Sequence, residues 1–403
     1  MFILIKANDS LLIHVWFKLL QIFSCETNGH EIDTFKDIGL QIVAKCDGLP
    51  LAIKVLGGLL CQKEKKRHEW KIVLDDSIWS VYEMPDWSLL PKTALLHKTD
   101  IIGMWIGEGF LHGASNNLEE LGTKYYKELI VRNLIEPNTK YIDQSVCTMH
   151  DVVRSFAQFV SRDEALAAHS GETNIGSKVS AHKFLWLSLE SKSSESDGLD
   201  WSSLQTQTIL RTLILVGDIH MKPGDFLAHF PSLRTLYADS TRVGELAEFL
   251  HEFKHLRYLS LHNSDTSALP DNLGKLKFLQ FIRLYGSKQF VKLPDSIVQL
   301  SQLRYLNIRG TSIFDIPRGF CRLTNLRIVD GFPAIEDGDW CSLEELGPLY
   351  QLTHIGLNGL ENVTVPSSAA KAKLGEKVHL TNLSLSWHSR MGDDGKIKEE
   401  DSF

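Results

Sequence analysis

Six aromatic and cationic residues recur at near-regular intervals in this 403-residue sequence: Tyr258, Phe281, Arg283, Tyr285, Tyr305 and Arg309. Tyrosine and arginine are enriched among the residues that carry protein–protein binding energy, so the chemistry these types suggest is recognition. The competing reading is a surface with scattered aromatics. Reactive groups form no comparable pattern. No Ser-His-Asp, Cys-His or H-E-x-x-H arrangement stands out, and the expectation is a protein that is not an enzyme. The 16 histidines are dispersed. His251 and His255 stand four apart without an acidic partner pattern, as surface residues do. Asp75-Asp76 follows Val73-Leu74 on a helical pattern rather than at a strand end, which argues against a metal site. A GxxxxGK[ST] loop, which cradles phosphates with backbone N–H groups and a lysine, is absent from these residues. Without that loop, a metal ligand and a water-positioning group, phosphoryl transfer lacks its main parts.

The recognition residues belong to a repeated phrase. Leu210-Arg211-Thr212-Leu213-Ile214-Leu215 returns as Leu233-Arg234-Thr235-Leu236, Leu256-Arg257-Tyr258-Leu259-Ser260-Leu261, Leu279-Gln280-Phe281-Ile282-Arg283-Leu284 and Leu303-Arg304-Tyr305-Leu306-Asn307-Ile308. Starts at 210, 233, 256, 279, 303 and 326 step by 23 or 24 residues. This is the L-x-x-L-x-L pattern and spacing of a leucine-rich-repeat solenoid. Phe184–Leu189 fits as a first, irregular repeat, and Leu352–Leu357 and Leu380–Leu385 continue the array at steps of 26 and 28. Side chains alternate along a strand, so the leucines point into the core and the residues between them face the concave side. Leu269-Pro270, Leu293-Pro294 and Ile316-Pro317 mark turns on the convex return.

A net charge of −7 gives no reason to expect bulk nucleic-acid binding. The six cysteines (25, 46, 61, 147, 321, 341) lack C-x-x-C pairs and read as reduced thiols. Residues 11–20 are apolar but interrupted by His14 and Lys18. They are too short to span a bilayer and read as a buried helix, with a signal peptide as the poorer alternative. The basic run Gln62–His68 holds one acid and no interleaved aromatics, and reads as a solvated connection.

Ahead of the repeats the periodicity is helical. Phe35, Ile38, Ile42 and Val43 share one face of a helix over 33–45. Gly48 permits its exit and Pro50 suits the first turn of an apolar helix over 51–60. Trp70, Val73, Leu74 and Ile78 mark a third helix, and Leu118, Leu121, Tyr125, Leu129 and Ile130 a fourth, which Pro137 keeps from continuing. Tyr141–Cys147 fits a short strand or wing, and Asp151 can cap a helix that buries Val152, Val153, Phe156, Phe159 and Val160.

Three blocks in this region carry a resemblance. Residues 42–60 contain Gly48-Leu49-Pro50-Leu51, residues 98–111 contain Trp105 and end in Gly109-Phe110-Leu111, and Met149-His150-Asp151 follows. In that order, ahead of leucine-rich repeats, they resemble the GLPL, tryptophan-helix and MHD blocks of the plant nucleotide-binding leucine-rich-repeat disease resistance proteins. The resemblance covers nearly the whole chain from about Asp33. It implies a winged-helix module that packs against a nucleotide-binding core rather than binding DNA. It also implies an adenine contact at Pro50, a β-phosphate contact at His150, and an ADP/ATP switch that the repeats hold closed until a pathogen cue arrives. From the residues alone, Pro50 is a helix-start proline and His150 a polar residue beside a helix start. Because the phosphate loop is missing, nucleotide is expected to be lost or weakly held. The segment between the third helix and the tryptophan helix is also shorter than the family's.

The expected architecture is therefore an α/β leucine-rich-repeat solenoid preceded by an α-helical, winged-helix-like remnant of a nucleotide-binding domain. Its parts are an irregular or helical segment (1–32), a helical GLPL-containing part (33–85), a winged-helix-like part with the MHD motif (86–163), a linker (164–183) and the repeats (184–403). The expected protein is a truncated, cytoplasmic plant immune receptor that binds a pathogen effector or a host protein through its repeats. It is expected to bind neither nucleic acid nor membrane. The alternative is a non-switching repeat scaffold or decoy with a vestigial nucleotide domain.

Overall fold

The leucine period becomes a stack of strands. In the computed structural model, residues 36–45, 66–75, 96–111, 117–131, 134–149, 153–154, 157, 161, 164–169, 175–191, 204, 206–219, 230–242, 249–334, 341–363 and 366–387 are described. The chain divides into two units, one within residues 1–160 and one spanning 161–403.

In the first unit, helix α1 (Lys36–Lys45) buries Ile38 and Ile42, and α2 (Arg67–Asp75) buries Trp70 and Leu74. The Arg67 guanidinium donates to both carboxylate oxygens of Asp37 and ties the two helices together at the surface. Strand β1 (Leu96–His97) leads into α3 (Lys98–Glu108), which buries Ile101, Ile102, Trp105 and Ile106. Gly109 ends α3 at φ 84°, where its N–H reaches the carbonyls of Trp105 and Ile106. Helix α4 (Leu118–Val131) packs on α3 through Gly122, where an added Cβ would come within 2.6 Å of Ile102 Cγ2. Strands β2 (Glu136–Pro137) and β3 (Val146–Thr148) form a small antiparallel sheet in the order β1-β3-β2. The turn between them is held by Lys140 N–H donating to Asn138 Oδ1 and Ser145 N–H to Asp143 Oδ1, both 3.0 Å. Tyr126 donates its hydroxyl to the Gln144 carbonyl (2.9 Å) from beneath this turn. The expected wing is present, but its strand is confined to Val146–Thr148, and Tyr141 and Ile142 lie exposed in the turn. Burial pushes the Cys147 thiol up to about 11, consistent with an inert core cysteine.

The second unit is built on a ten-stranded parallel sheet in which each strand pairs with its chain neighbours. Its strands are β4 (Ala165–His169), β5 (Trp186–Ser191), β6 (Thr212–Gly217), β7 (Thr235–Asp239), β8 (Tyr258–His262), β9 (Phe281–Arg283), β10 (Tyr305–Asn307), β11 (Ile328–Pro333), β12 (His354–Asn358) and β13 (Asn382–Leu385). Helices α5 (Ile175–Ala181) and α6 (Pro366–Lys371) lie in its connections. The register aligns Leu187, Leu213, Leu236, Leu259, Ile282, Leu306, Val329 and Ile355 in one buried column. Beyond this column, the β11–β12 register shifts between Val329 and Phe332.

The stretch 164–183 corrects the sequence reading. It is not a linker, because β4 pairs with β5 from Ala165 to His169, so the sheet begins one strand earlier than expected. Strands β6 to β10 are each left by a backbone turn that the leucines do not reveal. Gly217, Ser240, Asn263, Gly286 and Gly310 all have positive φ and follow the same 23- and 24-residue steps. That left-handed residue redirects the chain out of the strand, where glycine and asparagine cost least. The return legs are short 3-10 turns such as Leu273–Lys275, Asp295–Gln299 and Phe320–Arg322, and Pro294, one of the prolines expected to mark turns on the return, sits at the N-cap of the second.

Candidate protein-binding face of the repeats

Parallel pairing in register sets side chains of equivalent rank side by side, about 4.8 Å apart, on the face opposite the leucines. One column there runs Thr235, Tyr258, Phe281, Tyr305, Ile328, His354. The next runs Tyr237, Ser260, Arg283, Asn307, Asp330. Beyond it lie Asp239 and His262, paired across β7 and β8, then Tyr285 and Arg309 in the segments that follow β9 and β10.

The first column is an aromatic ladder. Ring centroids are 5.9 Å apart between Tyr258 and Phe281 and 5.5 Å between Phe281 and Tyr305. Such spacing lets each ring cover its neighbour's face, a favourable arrangement worth more than its area alone. It also takes the rings out of solvent. Tyr258, Phe281, Tyr305 and Arg283 are all buried, so four of the six residues expected to form an open binding face do not form one. The alternation rule put them on the correct side of the strand, but it carries no information on exposure. Tyr285, 37% exposed, and Arg309 remain open to solvent.

A hydrogen-bonded polar network accompanies the ladder. Asp239 accepts from the Ser240 hydroxyl (2.9 Å) and the Tyr237 hydroxyl (3.5 Å), and its Oδ1 lies 3.5 Å from His262 Nδ1. Asn307 donates its amide to the Tyr305 hydroxyl (3.1 Å) and to Asp330 Oδ2 (3.4 Å), and its carbonyl oxygen accepts from Arg309 N–H (3.0 Å). The Tyr285 ring packs against the His262 ring, 5.1 Å away, and the Arg283 guanidinium, 5.5 Å from its centroid. Burial lowers the pKa of Arg283, opposed by Tyr305, Tyr285 and Asp330. Burial likewise holds His262 and His354 below the usual histidine value, with Asp239 and Asp330 respectively pulling the other way.

The sequence reading missed Asp330, because its list of facing residues stopped at β10. Extending the alternation one repeat, to Ile328-Val329-Asp330, would have found it. His251 meets Glu252 (3.0 Å) and the His255 ring stacks on Phe278 at 6.0 Å, so this pair is separately engaged. Pro50 and His150 lie outside the described residues, as does Asp151. Among the described residues no group of three or more histidine, cysteine or acidic side chains could hold a metal ion, and no helix is long and apolar enough to cross a membrane.

Comparison with known proteins bears on both units. The family "Leucine-rich repeat region" matches residues 210–400, and "Disease resistance protein Winged helix domain" matches residues 89–157. An RPP13-like disease resistance protein of Arabidopsis thaliana is 38% identical over 151 residues, covering 31% of this chain and 14% of that protein. The disease resistance protein RGA2 of Solanum bulbocastanum is 29% identical over 171 residues, covering 36% and 17%. The chain therefore matches less than a fifth of the length of either relative. Among solved structures, the functional domain of InlJ from Listeria monocytogenes is 16% identical, with a TM-score of 0.39 over 61% of this chain and 56% of that one.

Proposed function

We propose, for a chain that carries the winged helix domain of plant disease resistance proteins ahead of a leucine-rich repeat region, that it acts inside the plant cell in defence by recognising a protein partner through the concave face of its repeats. The observation that carries this reading is the exposed Tyr285 and Arg309 on the face opposite the leucine core, within the family-matched repeats. The role is one of binding, not of catalysis. Leaf tissue expressing the chain should differ from control tissue in pathogen growth, and a chain whose repeats are collapsed by Leu259→Asp should not. Equal pathogen growth in all three would end the proposal.

The ADP/ATP switch belongs to the same proposal. Pro50 and His150 would contribute an adenine and a phosphate contact. The second reading is a repeat scaffold or decoy without a working switch. Denaturing the purified chain and measuring released ADP separates the two. A stoichiometric amount excludes the scaffold, and none, with the repeats still melting cooperatively, excludes a switch in this chain.

A further inference from the structure

We propose that the concave face beside β9 and β10 accepts an extended peptide segment with an acidic side chain seated on Arg309 and an aromatic side chain within two residues of it packed on Tyr285. This rests on the reading of that face as the partner-binding surface and names the partner's chemistry.

Charge decides the sign. Asp239 and Asp330 on this face are already engaged: Asp239 by Ser240, Tyr237 and His262, and Asp330 by Asn307 beside the buried Arg283. Arg309 is exposed and forms no ion pair with any described residue; its backbone N–H, not its guanidinium, is used by Asn307. One cation is thus left uncompensated on a concave surface, where a bidentate guanidinium suits a carboxylate.

Tyr285 supplies the second contact. Its ring already packs against His262 and Arg283 before any partner arrives, so little conformational freedom is lost on binding. The backbone beside these two side chains is glycine at two positions. Gly286 and Gly310 follow them directly, both at positive φ, and a Cβ built on Gly310 would lie 3.3 Å from the Gly286 Cα. The Gly286 N–H donates to the Arg309 carbonyl (3.0 Å), which keeps the two segments side by side. At Gly310 the nearest atoms are backbone, whereas the Asn263 carboxamide and the His262 ring lie against Gly286 and offer an approaching main chain polar groups. The distance between neighbouring strands, about 4.8 Å, falls between one and two residues of extended peptide.

The test is a fluorescence-anisotropy titration of the full chain with two labelled probes, Gly-Ser-Trp-Gly-Glu-Gly-Ser and the same peptide with glutamine for glutamate. The glutamate probe should bind at least tenfold more tightly, and the preference should shrink as salt is raised. Arg309→Gln should abolish the preference with an unchanged melting temperature. Arg309→Glu should transfer it to a probe with lysine in place of glutamate. Tyr285→Ala should weaken both probes alike. Equal binding of the two probes, no detectable binding of either, or a preference that survives Arg309→Gln would overturn the inference. The leaf assay answers separately: lost probe preference with the defence effect intact removes only this inference, whereas an inert chain in leaves removes the proposed function and leaves the preference measurable.

Discussion

The first and last described strands of the sheet are closed in different ways. At the β4 end, Gln207 is wholly buried and fully used. Its amide nitrogen donates to the carbonyls of Val179 (2.6 Å) and His182 (2.8 Å), and its oxygen accepts from the Phe184 N–H (2.8 Å). Val179 of α5 and Ala168 of β4 are buried over the core. At the β13 end, Leu383 and Leu385 are each 45% exposed, whereas their counterparts Leu306 in β10 and Ile308 just after it are fully buried. There Lys377 stands where Leu276, Leu300, Leu323 and Leu349 stand in the preceding repeats. Its ammonium donates to the carbonyls of Leu346 (2.7 Å), Leu349 (3.1 Å) and Gly347 (3.2 Å), and burial lowers its pKa. The contrast teaches that the leucine phrase specifies direction, while a neighbouring repeat supplies burial. Both ends also satisfy backbone groups with a long polar side chain, because an unmet buried carbonyl or N–H is costly.

Leu259→Ala, in the middle of the sheet, should cost about 2–5 kcal/mol in urea denaturation, the range for a buried leucine with neighbours on every side. A loss below about 1 kcal/mol would mean that the centre is packed no better than the β13 end. Gln207→Leu should cost about 2–3 kcal/mol, because three backbone groups lose their partner together. If stability is unchanged, the closure at the β4 end depends on α5 packing alone. Lys377→Met should cost about 1 kcal/mol, since the methionine restores apolar packing while three carbonyls lose a donor. A loss larger than that of Gln207→Leu would reverse the ranking of the two ends. Leu385→Ala should cost under about 1 kcal/mol, as only part of the side chain leaves water. Amide hydrogen exchange should accordingly be faster in β13 than in β5.

The smallest effect expected is on pH dependence, from the strands between the ends. His262 and His354 have folded pKa values below the unfolded value of 6.5. The unfolded chain thus binds more protons over the interval between those values, so stability rises with pH there. The contribution is fully present above pH 6.5 and is lost as pH falls from about 6.5 towards the folded values. His262→Gln with His354→Gln should flatten the melting temperature between pH 7.5 and 5.5. An unchanged slope in that double variant would place the titrating groups elsewhere.

Much of the fold was legible because a solenoid repeats one local problem. The steps of 23 and 24 residues placed every strand from β6 to β11, and the looser steps of 26 and 28 placed β12 and β13. The first strand escaped notice because Ala165-Leu166-Ala167-Ala168 buries small residues and lacks the leucine phrase. In the helical unit, Ile38, Ile42, Trp70 and Leu74 face the core as their spacing required, while the GLPL helix falls outside the described residues. The candidate site was half legible. Its residues were found by alternation, but Tyr258, Phe281, Arg283 and Tyr305 proved to be packed groups rather than contact groups.

Order along the sheet, the identity of the core leucines and the face to which each intervening residue points were determined by the sequence itself. These depend on local periodicity, and strand geometry converts period two into direction. Which facing residues meet solvent, that Lys377 serves as a backbone donor in a leucine position, and that Tyr285 packs against His262 were decided only by the tertiary structure. These depend on groups about 23 or more residues apart in the chain, and no local pattern encodes how closely those groups approach.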